Sequence, residues 1–62
     1  MKRSEIESLR FIGHGWDTSF DTPAEGRIKI YEAPDGTRYA VLTSQPKWRS
    51  LNTDPWQDLS EG

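Results

Sequence analysis

Residues 27–43, RIKIYEAPDGTRYAVLT, predict a β-hairpin and decide the fold of this chain. Two strand-forming runs flank the turn at residues 33–37, where Pro34 fixes φ at the first corner and Asp35 can bond its own backbone. Gly36 can take the positive φ of a bulge. The sequence therefore predicts a type I turn with a glycine bulge, and we place the whole hairpin at about residues 27–44.

The turn also determines which residues lie opposite each other. The predicted pairs are Glu32 with Arg38, Tyr31 with Tyr39, Ile30 with Ala40, Lys29 with Val41 and Ile28 with Leu42. An opposite-charge pair and an aromatic pair each stabilise a sheet by about 0.2–1 kcal/mol relative to an alanine pair. A slip of one residue would lose both pairs and mix the two faces.

The length and composition are those of a small domain with few apolar residues. The chain has 62 residues, of which 32% are hydrophobic, and its mean hydropathy is -0.88. Three Trp, two Tyr and two Phe supply large contact areas for a core. We predict one domain over 1–62, a small α+β or β-rich fold, with frayed ends at 1–3 and 60–62.

The chain contains no cysteine, so a disulfide or a thiolate metal site is excluded. We expect a cytoplasmic protein without a cofactor. No apolar run approaches the roughly 18–20 residues of a membrane span, and the first residues, MKRSEIE, do not resemble a signal peptide. We therefore expect no membrane association.

Residues 5–12 fit two interpretations equally. Ser4 and Glu7 have the spacing of a capping box, which predicts a helix from Glu5 to about Phe11. Alternatively, apolar residues alternate with Arg10 between positions 8 and 12, as in a third strand.

Turn-forming residues dominate the segments on either side of the hairpin. Residues 13–26 are predicted to be a loop that contains one capped helical turn at 22–25. Pro46 should end the second strand because it has no amide hydrogen. Residues 53–55 predict the start of another helical turn, with Trp56 and Leu59 on one side of it.

The sequence offers little catalytic or metal-binding chemistry. The single histidine, His14, lies between two glycines, which would not hold it rigidly beside a nucleophile. Asp17, Ser19 and Asp21 resemble the start of a calcium loop, but Thr22 occupies the position that requires glycine. We predict a protein that is not an enzyme and has no metal site.

The leading hypothesis is a binding module that docks on another protein through an aromatic and basic face. Residues 27–49 carry five cations and two acids, and Tyr, Trp and Arg are enriched at binding hot spots. The candidate residues are Arg27, Lys29, Tyr31, Tyr39, Lys47, Trp48 and Arg49. The alternative is that the two tyrosines have a purely structural role and pack in the core.

Other functions remain open at this stage. Cations interleaved with aromatic rings also suit single-stranded nucleic acid, although acidic flanks disfavour it. A weaker hypothesis is an acidic mimic of nucleic acid that inhibits a host enzyme. Trp56 and Leu59 form a secondary candidate, either docking in a partner's groove or, in the case of Trp56, covering the core.

Overall fold

The computed structural model describes residues 1–51 and 55–60, and over these residues five strands form one antiparallel sheet in chain order. The strands are β1 (Arg10–Trp16), β2 (Arg27–Glu32), β3 (Arg38–Leu42), β4 (Lys47–Ser50) and β5 (Gln57–Asp58). Two short helices accompany them, α1 (Arg3–Glu7) and α2 (Pro23–Gly26). The prediction of a small β-rich α+β fold built on a hairpin is confirmed.

The hairpin formed by β2 and β3 has the predicted register at all five pairs. Gly36 has φ +92°, and its N–H donates to the Ala33 carbonyl oxygen at 2.9 Å, as a type I turn requires. The Asp35 carboxylate accepts a hydrogen bond of 2.9 Å from the Thr37 N–H, which lowers the pKa of Asp35. The predicted charge pair forms a salt bridge of 3.2 Å between Arg38 and Glu32.

Residues 5–12 contain parts of both predicted elements, because α1 ends before β1 begins. The helix starts earlier than the capping box at Ser4 predicts: Lys2 is the N-cap, and its N–H donates to Glu5 Oε1 at 3.1 Å. The Arg3 N–H donates to the Ser60 carbonyl oxygen at 2.7 Å, which fixes the start of the helix against the far end of the chain. Local capping chemistry could not reveal this contact.

The prediction of a loop over 13–26 is wrong for its first four residues, which belong to β1. Gly13 pairs with Ile30 and Gly15 with Ile28, after a bulge that accommodates one extra residue, Ile12. Glycine weakens an isolated strand, but here the ladder to β2 supplies the pairing.

The helical turn predicted at 22–25 is present as α2. Thr22 Oγ1 accepts a hydrogen bond of 3.2 Å from the Glu25 N–H, as an N-cap should. Gly26 ends α2 at a close approach, since a Cβ placed there would lie 2.5 Å from the Asp17 carbonyl oxygen. This approach packs the loop of residues 17–26 against the end of β2.

Strands β4 and β5 are not among the predicted elements. The helix start predicted at 53–55 falls partly on Thr53 and Asp54, which lie outside the described residues. Where a helical turn was expected after it, the structure has β5, which pairs with β4. The expected placement of Trp56 and Leu59 on one side of a helix is therefore wrong.

Both faces of the sheet are covered by apolar side chains. On the face under α1, which we call the helix side, the buried cluster comprises Ile6, Tyr31, Val41 and Leu59, with Leu9 and Trp48 packed against it. On the other face, which we call the loop side, Ile28, Ala40 and Leu42 pack with Phe20, Ile30 and Trp56.

The first residues of the chain lie beside Ser60. Lys2 forms a parallel bridge with Ser60, and the Ser60 N–H donates to the Met1 carbonyl oxygen at 3.2 Å. Residues 1–3 and 60, for which the sequence suggested fraying, take part in backbone hydrogen bonds, whereas residues 61–62 of the same prediction lie outside the described residues. None of the helices in the described part of the chain is long and apolar enough to cross a membrane.

Candidate functional site

Five exposed side chains lie together on the helix side of β1 and β2, beyond the area that α1 covers. We call this surface the β1–β2 patch, and it consists of Phe11, His14, Trp16, Arg27 and Lys29. His14 pairs with Lys29 and Trp16 with Arg27, and directly paired residues project from the same face. The patch therefore alternates aromatic rings and cations across two neighbouring strands.

The two large rings of the patch are unusually exposed for their size. Trp16 has 61% and Phe11 48% of its surface accessible. Phe11 is held from both sides, with its ring centroid 5.3 Å from that of His14 and 5.5 Å from that of Tyr31, both in edge-to-face geometry. The sheet thus positions an apolar ring in advance of any contact with a partner.

The predicted tyrosines contribute less exposed surface than the sequence suggests. Tyr31 is only 8% exposed and belongs to the core cluster of the helix side. Tyr39 is half-buried and packs against Trp48, which is also half-buried, at 6.0 Å between ring centroids. In the free molecule these rings mainly contribute to packing. This is the alternative to a binding role that the sequence left open.

The predicted cations divide between the two faces of the sheet. Arg27 and Lys29 are exposed on the helix side, whereas Lys47 and Arg49 project toward the loop side, because their strand neighbour Trp48 packs with the helix-side core. A single aromatic and basic face containing all seven candidates is therefore not assembled. The period of two along β4 separates Lys47 and Arg49 from Trp48.

Lys47 and Arg49 instead contact acids of the same chain. Lys47 Nζ lies 2.6 Å from Asp58 Oδ1, and this hydrogen bond lowers the pKa of Asp58. Arg49 lies 3.8 Å from Asp17 Oδ2, and its guanidinium stands 5.1 Å from the centre of the Trp56 ring.

Asp17 is the centre of a polar cluster that sequence reasoning missed. Its carboxylate accepts hydrogen bonds from Ser19 Oγ at 2.7 Å, from the Ser19 N–H at 3.0 Å and from Trp56 Nε1 at 3.0 Å. These bonds, with the nearby Arg49 charge, lower the pKa of Asp17 despite its partial burial. The cluster attaches Trp56 to the loop after β1, so this ring packs against the loop-side core.

A cleft of about 440 Å³ borders the patch at Lys29. Its floor includes Tyr31 and Val41, and Arg3 and Glu7 of α1 form part of its wall. Leu59, the other secondary candidate, also lines the cleft and is buried in the helix-side core. The cleft extends the patch toward α1 without adding a third large exposed ring.

Phe11 and Trp16 were absent from the predicted site, although one local signal pointed to Trp16. In the sequence Gly13-His14-Gly15-Trp16, small and large residues alternate. In a strand this alternation leaves one face bare and places two rings on the other. Because glycine is typical of loops, the sequence predicts a loop here, and the strand pattern is hidden.

Comparisons of the chain with protein-family models, with curated proteins and with solved structures find no match. Among the described residues, no group of three or more His, Asp or Glu side chains could hold a metal ion. The arrangement of the β1–β2 patch is suited to contact with another molecule through ring stacking, apolar burial and attraction of negative charge.

Proposed function

We propose that this protein is a non-enzymatic binding module that docks on another protein through the β1–β2 patch. The observation that carries the proposal is the exposure of Trp16 and Phe11, 61% and 48%, on one strand beside Arg27 and Lys29. Trp and Arg, both present in this patch, are among the residue types that carry most binding energy at interfaces. The proposal places the protein in the cytoplasm, which the lack of cysteine favours.

The proposal retains the aromatic and basic character expected from the sequence but moves its centre by one strand. Arg27 and Lys29 remain part of the proposed binding surface. Its exposed rings are Phe11 and Trp16 instead of Tyr31 and Tyr39. A ring that is exposed in the free protein can be buried on docking, whereas Tyr31 has little surface left to bury.

A second candidate is single-stranded nucleic acid on the same surface. It is favoured by the placement of Arg27 opposite Trp16 and of Lys29 opposite His14, where cations could follow phosphates while rings stack on bases. The net charge of -2 for the whole chain works against it, because phosphate binding depends on cationic contacts.

The test is recovery of partners from the native lysate on tagged wild-type protein and on Trp16→Ala, with and without nuclease. A protein partner that resists nuclease should be retained by the wild type and weakened by about 2 kcal/mol or more in Trp16→Ala, since a buried anchor of this kind is a hot spot. Phe11→Ala should have a smaller effect in the same direction.

Leu51→Ala is the matched control, because Leu51 is another apolar side chain that is 37% exposed, and it follows β4 rather than β1. It should bind as the wild type does. If nuclease removes all bound material, or if Trp16→Ala and Leu51→Ala retain every partner equally, the proposed function is wrong.

A further inference from the structure

Strand β1 presents a long free edge to solvent. It has seven residues, and among the described residues it pairs with β2 alone. The opposite edge of the sheet, β5, has two residues and is followed directly by the bridge between Ser60 and Lys2. An edge strand that is short or covered by other segments protects a sheet from pairing with another chain. β1 is neither short nor covered.

The ladder shows which backbone groups of β1 face outward. The Thr43 N–H donates to the Arg27 carbonyl oxygen, so the backbone groups of Arg27 point toward β3 and away from β1. The Asp17 N–H donates to the Gly26 carbonyl oxygen, so the hydrogen-bonded pair at this end of the ladder is the one next to Trp16 and Arg27. Hydrogen-bonded and non-hydrogen-bonded pairs alternate along an antiparallel ladder. The backbone groups of His14 and Trp16, which lie opposite Lys29 and Arg27, therefore point away from β2.

The charged side chains that are exposed on β1 and β2 are all cations, although Glu7 of α1 lines the same cleft as Lys29. Arg10 begins β1, and Arg27 and Lys29 are exposed on β2 beside it. The nearby carboxylate of Glu32 is engaged by Arg38 at 3.2 Å. The side chain of Asp17 is only 10% exposed and is turned toward Trp56.

We propose that an extended acidic segment of the partner protein adds to the free edge of β1 as a further antiparallel or parallel strand, and this inference rests on the proposed function. The backbone of His14 and Trp16 supplies the hydrogen bonds, as in other cases of strand addition. The rings of Phe11 and Trp16 cover the apolar side chains of the incoming strand. Arg10, Arg27 and Lys29 attract its carboxylates.

A second copy of this chain fits the edge less well than an acidic segment. Pairing of β1 with β1 would bring two edges of the same positive character together, whereas an acidic segment meets opposite charge.

The first part of the test uses synthetic peptides and the unsubstituted protein, so that its result does not depend on a variant that could disturb the fold. The probe is a capped peptide of about eight residues in which every second residue is Ser and the residues between them are Val and Glu in turn, so that Val and Glu side chains share one face. Two derivatives carry N-methyl groups, one on every Ser and the other on every Val and Glu. Because successive N–H groups of a strand point to opposite edges, each derivative blocks one edge of the peptide.

Strand addition predicts that one N-methylated derivative loses affinity by roughly tenfold or more while the other binds like the parent peptide. The His14 and Trp16 amide protons should exchange more slowly with solvent in the complex. Arg27→Gln combined with Lys29→Gln should weaken binding several-fold and reduce its salt dependence, whereas Lys47→Gln, on the loop side, should not.

Four results would overturn the inference, and they affect the proposed function differently. Equal binding of both methylated derivatives, or no binding of the acidic peptide while a Trp16-dependent protein partner is recovered, rejects strand addition alone. A dimer in sedimentation that Trp16→Ala dissociates shows that the occupant is a second copy. Displacement of the peptide by a mixed-sequence single strand, with salt-sensitive binding of that strand, rejects the proposed function as well.

Discussion

At the scale of single residues, the Asp17 side chain connects several segments of the described chain. Its carboxylate joins the loop after β1 to Trp56, a residue 39 positions away in the sequence. The Ser19 hydrogen bonds, and to a smaller extent the Trp56 hydrogen bond and the Arg49 charge, favour the ionised form. Because these partners come from three separate segments, Asp17 holds the loop-side layer together.

Replacing Asp17 by Asn should lower the free energy of unfolding by about 1–3 kcal/mol at neutral pH, since it weakens charge-assisted hydrogen bonds in a largely buried position. The folded pKa of Asp17 lies below its ordinary value of 3.8. Its stabilisation is therefore complete above that value and is lost as the pH falls through the lower folded pKa. Urea unfolding of wild type and Asp17→Asn at pH 7 and at about pH 2–3 measures this difference.

The difference in free energy of unfolding between wild type and Asp17→Asn should be smaller at acidic pH than at neutral pH. Asp35 and Asp58 also have lowered pKa values, but both remain in the variant, so their acid sensitivity cancels in the comparison. A difference between the proteins that is the same at both pH values would show that Asp17 does not act through its charge.

At the scale of elements, the hairpin was predictable because its determinants are local. The turn residues and the cross-strand pairs lie within one stretch of sequence, and every predicted pair is found. The strand β4 was not predicted, because Lys47–Ser50 owes its conformation to pairing with β3 rather than to its own pattern. The end of β1 was missed for the same reason, since Gly13 and Gly15 carry turn propensity and no strand signal.

The turn of the hairpin allows a direct test at this scale. Gly36→Val should destabilise the domain by about 1–2 kcal/mol, because a β-branched residue is strained at the observed φ of +92°. Gly36→Asn should cost much less, since asparagine tolerates positive φ. A Cβ at this position meets no atom within 4 Å, so a steric clash does not contribute to the difference in stability between the Val and Asn variants. Equal urea midpoints for the Val and Asn variants would contradict the assigned turn.

The candidate site was predictable in its chemistry more than in its location. Arg27 and Lys29 were identified from the hairpin, and both are exposed. The rings beside them could not be chosen from sequence, because exposure of Phe11 and burial of Tyr31 depend on which part of the sheet α1 covers. That coverage follows from the contact between Arg3 and Ser60, at opposite ends of the chain.

At the scale of the whole molecule, one sheet supports two apolar layers. The helix-side and loop-side clusters share β2 and β3, whose successive residues alternate between them. Neither layer is large enough to stand alone in a chain of 62 residues. The two layers are therefore expected to unfold together.

Ile6→Val tests this coupling, because Ile6 is 1% exposed in the helix-side cluster. The loss of one methylene should cost about 0.5–1.5 kcal/mol. The indole NMR signals of Trp48, on the helix side, and of Trp56, on the loop side, should disappear at the same reduced urea concentration. A midpoint that falls for Trp48 and stays unchanged for Trp56 would show two independent layers.

The bridge between Lys2 and Ser60 also determines how the molecule can be attached to anything else. Both residues lie at the β5 edge, and residues 3–9, which include α1, connect this edge to the start of β1. Four strand spacings, roughly 19 Å, separate this edge from β1. A tether, fused domain or solid support joined at either terminus therefore leaves the β1 edge oriented away from the attachment point and accessible from solution.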